Sequence, residues 1–167
     1  MVLTQSELIA TLQHQVHILL HLATKIDRTK LDYRPTPKQR STIELLRYLS
    51  IMGPTLVRAA KVGGFDPAVW TANLEAAEAR DFDQTMAVIA AQKDEFATLI
   101  SGISDDAMRA ELEMFGRKSS VGFFLVNTVF GGYAAYRTQL FVYLKACGRE
   151  ELSTMNLWAG CDAPPAP

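Results

Sequence analysis

The chain has 167 residues, a length that suits one domain with a full hydrophobic core. Its hydrophobic fraction of 49% and charged fraction of 21% are those of an ordinary globular protein, and a formal net charge of -1 leaves no electrostatic footprint for nucleic acid. No apolar run approaches the ~20 residues of a membrane span, so neither nucleic acid nor a membrane is an expected partner.

Thr4-Gln5-Ser6-Glu7 has the form of a capping box, in which the first and last side chains cap each other's backbone N–H groups. It predicts a first helix to about Arg28, with Leu8, Leu12, Val16, Leu19, Ala23 and Ile26 at helical spacing. Met1 to Glu7 shows no basic region leading into an apolar stretch, so no secretory leader is expected. The loop from Thr29 to Arg40 carries Pro35 and Pro37. Ser41-Thr42-Ile43-Glu44 is a second capping box, and its helix runs to about Lys61 before Gly63-Gly64. Pro54 lies inside it and is expected to kink it, because proline removes a backbone donor and crowds the preceding turn.

Gly63 to Thr71 reads as a second connection. Asp81-Phe82-Asp83-Gln84 caps a third main helix that ends at Gly102, with Met86, Ile89, Phe96, Leu99 and Ile100 toward the core. Ser104-Asp105-Asp106 opens either a short helix or an extended segment through Phe115, and Gly116-Arg117-Lys118 reads as a turn. The last long helix starts near Ser119 or Ser120 and ends at Gly148. Residues 151–167 form a tail that packs on the bundle or frays from it. No run with hairpin chemistry competes with the helices. The expected architecture is therefore all-α, a four-helix bundle over residues 1–150. Its long loops allow crossovers and a short extra helix.

Two segments resemble a known family: Arg34-Pro35-Thr36-Pro37 through Ser50, and Phe124-Leu125-Val126-Asn127-Thr128 through Gly148, which includes Arg137-Thr138-Gln139-Leu140. Together they resemble the second and fourth helices of the DinB/YfiT-like metalloenzyme family. The resemblance implies a site in which one histidine on the second helix and a His-x-x-x-His pair on the last helix hold a metal. Residues four apart share a helix face, so two imidazoles can reach one ion and leave positions open for water or substrate. The corresponding positions here are Tyr48, Gly132 and Tyr136, followed by Arg137. Glycine offers no ligand, and a neutral phenol with an ordinary pKa of about 10 binds divalent ions weakly at pH 7. No metal at that site and no cofactor are expected.

Gly132 costs its helix about 1 kcal/mol relative to alanine, which calls for a reason. It could make room for a ring from Tyr48 or Tyr136, or for a ligand. Either the tyrosines fill the old site, or they line a small-molecule pocket with Arg137 beside them.

The three histidines, His14, His17 and His21, share one face of the first helix. His17 and His21 are four apart and are the weak surface candidates for a metal; a solvated or subunit-facing polar stripe is the plainer reading. Cys147 and Cys161 match no zinc or redox spacing, and a cytoplasmic location is the expectation. Glu44 is a capping partner rather than a general base, and Cys147, at a helix C-terminus, is no nucleophile.

Three functional readings follow. The first is a metal-free, non-catalytic protein that binds a small molecule in the vestigial site. The second is a divergent transferase or hydrolase, similar to thiol transferases, with Tyr48 or Tyr136 as hydrogen-bond donor or acid. The third is a structural module that works as a homodimer.

Overall fold

The computed structural model describes residues 3–164. Three of its long helices begin at capping boxes. In α1 (Gln5–Ala23), the Glu7 N–H donates to Thr4 Oγ1 at 3.2 Å and the Thr4 N–H donates to the Glu7 carboxylate at 2.7 Å. Ser41 and Glu44 open α2 (Thr42–Val62) in the same way, and Gly63, at φ +80°, closes it in the left-handed region. The helix passes through Pro54 without interruption.

The segment after α2 corrects the sequence reading. A helix, α3 (Pro67–Glu78), occupies most of what was expected to be a connection. Its N-terminus is plainly signalled: Asp66 Oδ1 accepts from the Ala68 N–H at 2.8 Å, and Pro67 takes the first helical position. Its interior is not, because only Ala77 is fully buried and no apolar stripe marks it. Asp81 and Gln84 then cap α4 (Phe82–Ser101) reciprocally.

The stretch after Gly102 takes both of the forms anticipated for it. A single turn, α5 (Asp105–Arg109), is followed by a hairpin of β1 (Glu111–Met114) and β2 (Arg117–Ser120). This is the one departure from an all-helical chain among the described residues. The turn is the residue pair Phe115-Gly116, at φ +53° and +73°, so Arg117 and Lys118 belong to the strand. Both turn residues take the positive φ that a two-residue hairpin loop of the I′ kind demands.

Ser120 caps the last helix through the Phe123 N–H. That helix is α6 (Val121–Phe124), a π-helical segment (Leu125–Phe130) and α7 (Gly131–Ala146) in succession.

The long helices occupy the corners of a square. Helix α4 packs on α1 and α2, and α7 packs on α1 and α2, so α1 and α2 lie on one diagonal. Gln5 and Gln13 donate to the carbonyls of Ile100 and Lys93, which makes α1 and α4 antiparallel. Gln92 donates to Leu49, and Tyr133 lies against both Gly53 and Phe96, so α2 and α4 run parallel. A parallel pair needs a crossover, and α3 supplies it, antiparallel to α2. The core lies on the axis, with Leu12, Leu19, Leu46, Leu49, Ile89, Phe96 and Leu140 buried.

Candidate functional site

The three positions singled out by the family resemblance lie together where α2 and α7 face each other. The Tyr48 ring meets the Tyr136 ring edge-on, with centroids 5.0 Å apart. Gly132 sits one turn back along α7, and a Cβ there would lie 3.1 Å from Met52 Cε and 3.4 Å from its sulfur. Met52 lies one turn beyond Tyr48 on α2 and is buried. The room that Gly132 leaves is therefore taken by the Met52 thioether, rather than by a tyrosine ring or a ligand.

Aromatic contacts extend outward from this pair. Trp70 of α3 lies 5.9 Å from Tyr48, Phe65 lies 5.7 Å from Trp70, and Phe115 at the hairpin tip lies 5.1 Å from Phe65. On another side the Arg40 guanidinium covers the Tyr48 ring at 4.0 Å from its centroid. Burial first, and the Tyr136 phenol second, push the Tyr48 hydroxyl up to about 12, with Arg40 opposing. Tyr48 is thus a neutral hydrogen-bonding group at any physiological pH. Two phenols and a thioether are a poor donor set for a divalent ion.

Arg137 is adjacent in sequence but not in place. One residue on from Tyr136, it turns about 100° around the helix. Its guanidinium packs under the Trp158 ring of the tail, 5.1 Å from the centroid. The side chain is nearly excluded from solvent, its Nε has no hydrogen-bond partner among the described residues, and burial lowers its pKa.

The histidine face of α1 meets the tail. His14 Nε2 contacts the Trp158 carbonyl at 2.9 Å, His21 Nε2 contacts Asn156 Nδ2 at 3.0 Å, and Gly160 passes close over the His17 ring. Asp162 pairs with Lys25 at 2.7 Å. His14 and His17 stay exposed, and His21 is largely covered. Burial lowers the His21 pKa, with Asp162 opposing. Among the described residues, no group of three or more His, Cys, Asp or Glu side chains is placed to hold a metal. Burial pushes the Cys147 thiol up.

Two cavities among those that open on the surface of the described residues bear on function. The larger, about 770 Å³, lies between the start of α1 and the α5–α6 region, with Leu8, Met108, Phe123, Val126 and Phe130 in its walls. Its polar residues are largely spent on structure: Thr4 and Ser120 are helix caps, and Gln5 donates to the Ile100 and Ile103 carbonyls. The smaller, about 490 Å³, opens at Tyr48 and is lined by Arg40, Glu44, Arg47, Tyr48, Leu74 and Glu78. Glu44 is fixed by the Ser41 N–H and by Arg34 at 2.9 Å, which together hold its carboxyl below the usual range. Arg47 is fixed through its Nε, which donates to the Arg80 carbonyl at 2.8 Å.

A chain of this topology has a solved counterpart. The structure is similar to the crystal structure of a DinB-like protein, YjoA, from Bacillus subtilis, with a TM-score of 0.67 over 87% of this chain and 94% of that one. The fold is DinB-like. At 16% identity the likeness is one of fold. No protein-family model matches the chain, and no curated protein matches it.

The DinB-like fold thus brings Tyr48, Gly132 and Tyr136 together and carries Arg137, His17 and His21 elsewhere. Reading the sequence missed Met52, whose role depends on register across the α2–α7 interface. It also missed Leu74 and Glu78, which ride on α3. The Asp66-Pro67 pair is the signal that could have placed them. Among the described residues, no helix is long and apolar enough to cross a membrane.

Proposed function

We propose that this DinB-like protein binds a small molecule in the cleft over Tyr48, without a metal and without catalysing a reaction. The observation that carries this reading is the conjunction at one place of a plug and an opening. Behind Tyr48, Met52 and Tyr136 fill the space between α2 and α7; in front of it lies a cleft of about 490 Å³, within the range of small-ligand sites. A metal reading has only two phenols and a thioether to draw on. An acid–base reading has to work with a Tyr48 hydroxyl held at about 12, far from the neutral value that proton transfer favours. Binding asks only for what the cleft has: an aromatic floor, an aliphatic wall at Leu74, and side chains pinned in place.

The test is a ligand-observed NMR screen of a fragment collection against the full chain and against Leu74→Trp, which fills the cleft from the half-buried side of α3. Hits that disappear with Leu74→Trp are expected. A screen whose hits all bind both proteins equally, or that yields none, would overturn the binding reading. A tightly held stoichiometric metal at Tyr48 and Tyr136 in tag-free protein would overturn the metal-free part.

A further inference from the structure

The charges around the cleft are of two kinds. Glu44 and Arg47 are committed: the first to the Ser41 cap and Arg34, the second to the Arg80 carbonyl. Arg40 and Glu78 have no ion-pair partner among the described residues, and both are exposed. Helix α3 runs antiparallel to α2, with Asn73 donating to Thr55 and Arg80 donating to Ser50, so Glu78, near the C-terminal end of α3, lies at the Arg47 and Ser50 level. Arg40 precedes α2, and its guanidinium lies over the ring of Tyr48 at 4.0 Å from the centroid. Its backbone is fixed, since its carbonyl accepts from the Tyr143 hydroxyl at 2.9 Å. An available cation and an available anion thus lie in one cleft, with the Tyr48 ring and Leu74 as its apolar surfaces.

We propose that the ligand of this cleft is a small zwitterion with an apolar side chain, of the free α-amino acid kind. Its carboxylate pairs with Arg40, its ammonium pairs with Glu78, and its side chain lies on Tyr48 and Leu74. This rests on the small-molecule reading above and narrows it to one chemical class. The physical reason is balance. A simple anion would leave Glu78 facing like charge beside the fixed Glu44, and a simple cation would meet Arg40 and the fixed Arg47. A ligand carrying both charges satisfies both sides, and guanidinium matches carboxylate in geometry.

The experiment is a titration of the 15N-labelled full chain, followed by amide shifts, with L-phenylalanine, phenethylamine, 3-phenylpropionate and 2-phenylethanol. These probes share a ring and differ in charge. L-Phenylalanine is expected to shift the amides around Tyr48 and Leu74 and to bind about tenfold or more tighter than either singly charged analogue, the discrimination of one charge-assisted contact. Glu78→Gln should bring L-phenylalanine down to the level of 3-phenylpropionate, and Arg40→Gln to that of phenethylamine; both residues are exposed, so both variants keep the fold. Equal binding of all four probes at the cleft overturns the zwitterion and leaves the small-molecule reading standing. Shifts from 2-phenylethanol but not from L-phenylalanine do the same. If no probe shifts the cleft and the fragment screen also yields no Leu74→Trp-sensitive hit, both fall.

Discussion

Arg137 and Met52 show how differently single residues serve this bundle. Met52 fills the gap opposite Gly132, and its flexible, polarizable side chain suits an irregular space between two helices. Arg137 does the reverse. It brings a charge into the seam between α7 and the tail, where its Nε finds no acceptor among the described residues and burial works against the charged form. A charge so placed costs stability unless it is paired, and the Trp158 ring over it offsets only part of that cost. Arg137→Met keeps the stem and removes the charge. It is expected to raise stability by about 1 kcal/mol, read as an upward shift of a few degrees in Tm by calorimetry; a fall in Tm would show that the guanidinium is compensated by something other than Trp158.

At the level of elements, the tightest approach is between α2 and the start of α7. A Cβ on Gly53 would lie 2.5 Å from the Tyr133 hydroxyl, 2.6 Å from its ring and 2.7 Å from Phe96 Cζ. Tyr133 cannot yield easily, because it is fully buried and its hydroxyl donates to Gln92 Oε1 at 2.7 Å, while Gln92 donates to the Leu49 carbonyl at 3.0 Å. Two effects compete in Gly53→Ala: helix propensity favours alanine by about 1 kcal/mol, and overpacking costs about 1–3 kcal/mol. With three contacts under 3.0 Å the clash wins, so urea denaturation should show a net loss of stability. The same interface explains what the sequence disclosed and what it hid. Capping boxes are written in four consecutive residues, so the starts of α1, α2 and α4 were legible, as was the meeting of Tyr48 with Tyr136 through the family pattern. The Gln92–Tyr133 tie and the Met52 plug depend on which residues of different helices share a level, and no local pattern encodes that. Helix α3 hid for a different reason: it lies on the outside of the bundle and buries little, so periodicity is silent and only its Asp66-Pro67 start speaks.

On the scale of the whole molecule, the first helix is tied to the last helix and to the tail. Arg149 donates to the Lys25 carbonyl at 3.0 Å and Lys30 donates to the Cys147 carbonyl at 2.8 Å, joining the C-terminal ends of α1 and α7. The tail then lies on α1 through the contacts to His14, His17 and His21. The His21 pKa is lowered from its usual 6.5, so the folded state holds the neutral ring. The stability this lends is complete above pH ~6.5 and is lost as pH falls through the lower folded value, where the unfolded chain binds the extra proton. Lys25 and Asp162 face the same ring, and His17 lies near it. Acidification below pH 6.5 should therefore loosen the tail, and the Trp158 emission should change over that range in the native chain but not in His21→Gln. Tail and cleft thus lie on different flanks of α7, and each has one of the chain's two tryptophans near it: Trp158 in the tail, stacked on a guanidinium, and Trp70 behind the cleft's Tyr48, in ring contact with it. The molecule therefore carries two built-in optical reporters. Trp158→Phe leaves a fluorophore beside the cleft, Trp70→Phe one in the tail, and the pair can tell occupancy of one flank from movement of the other without any added dye.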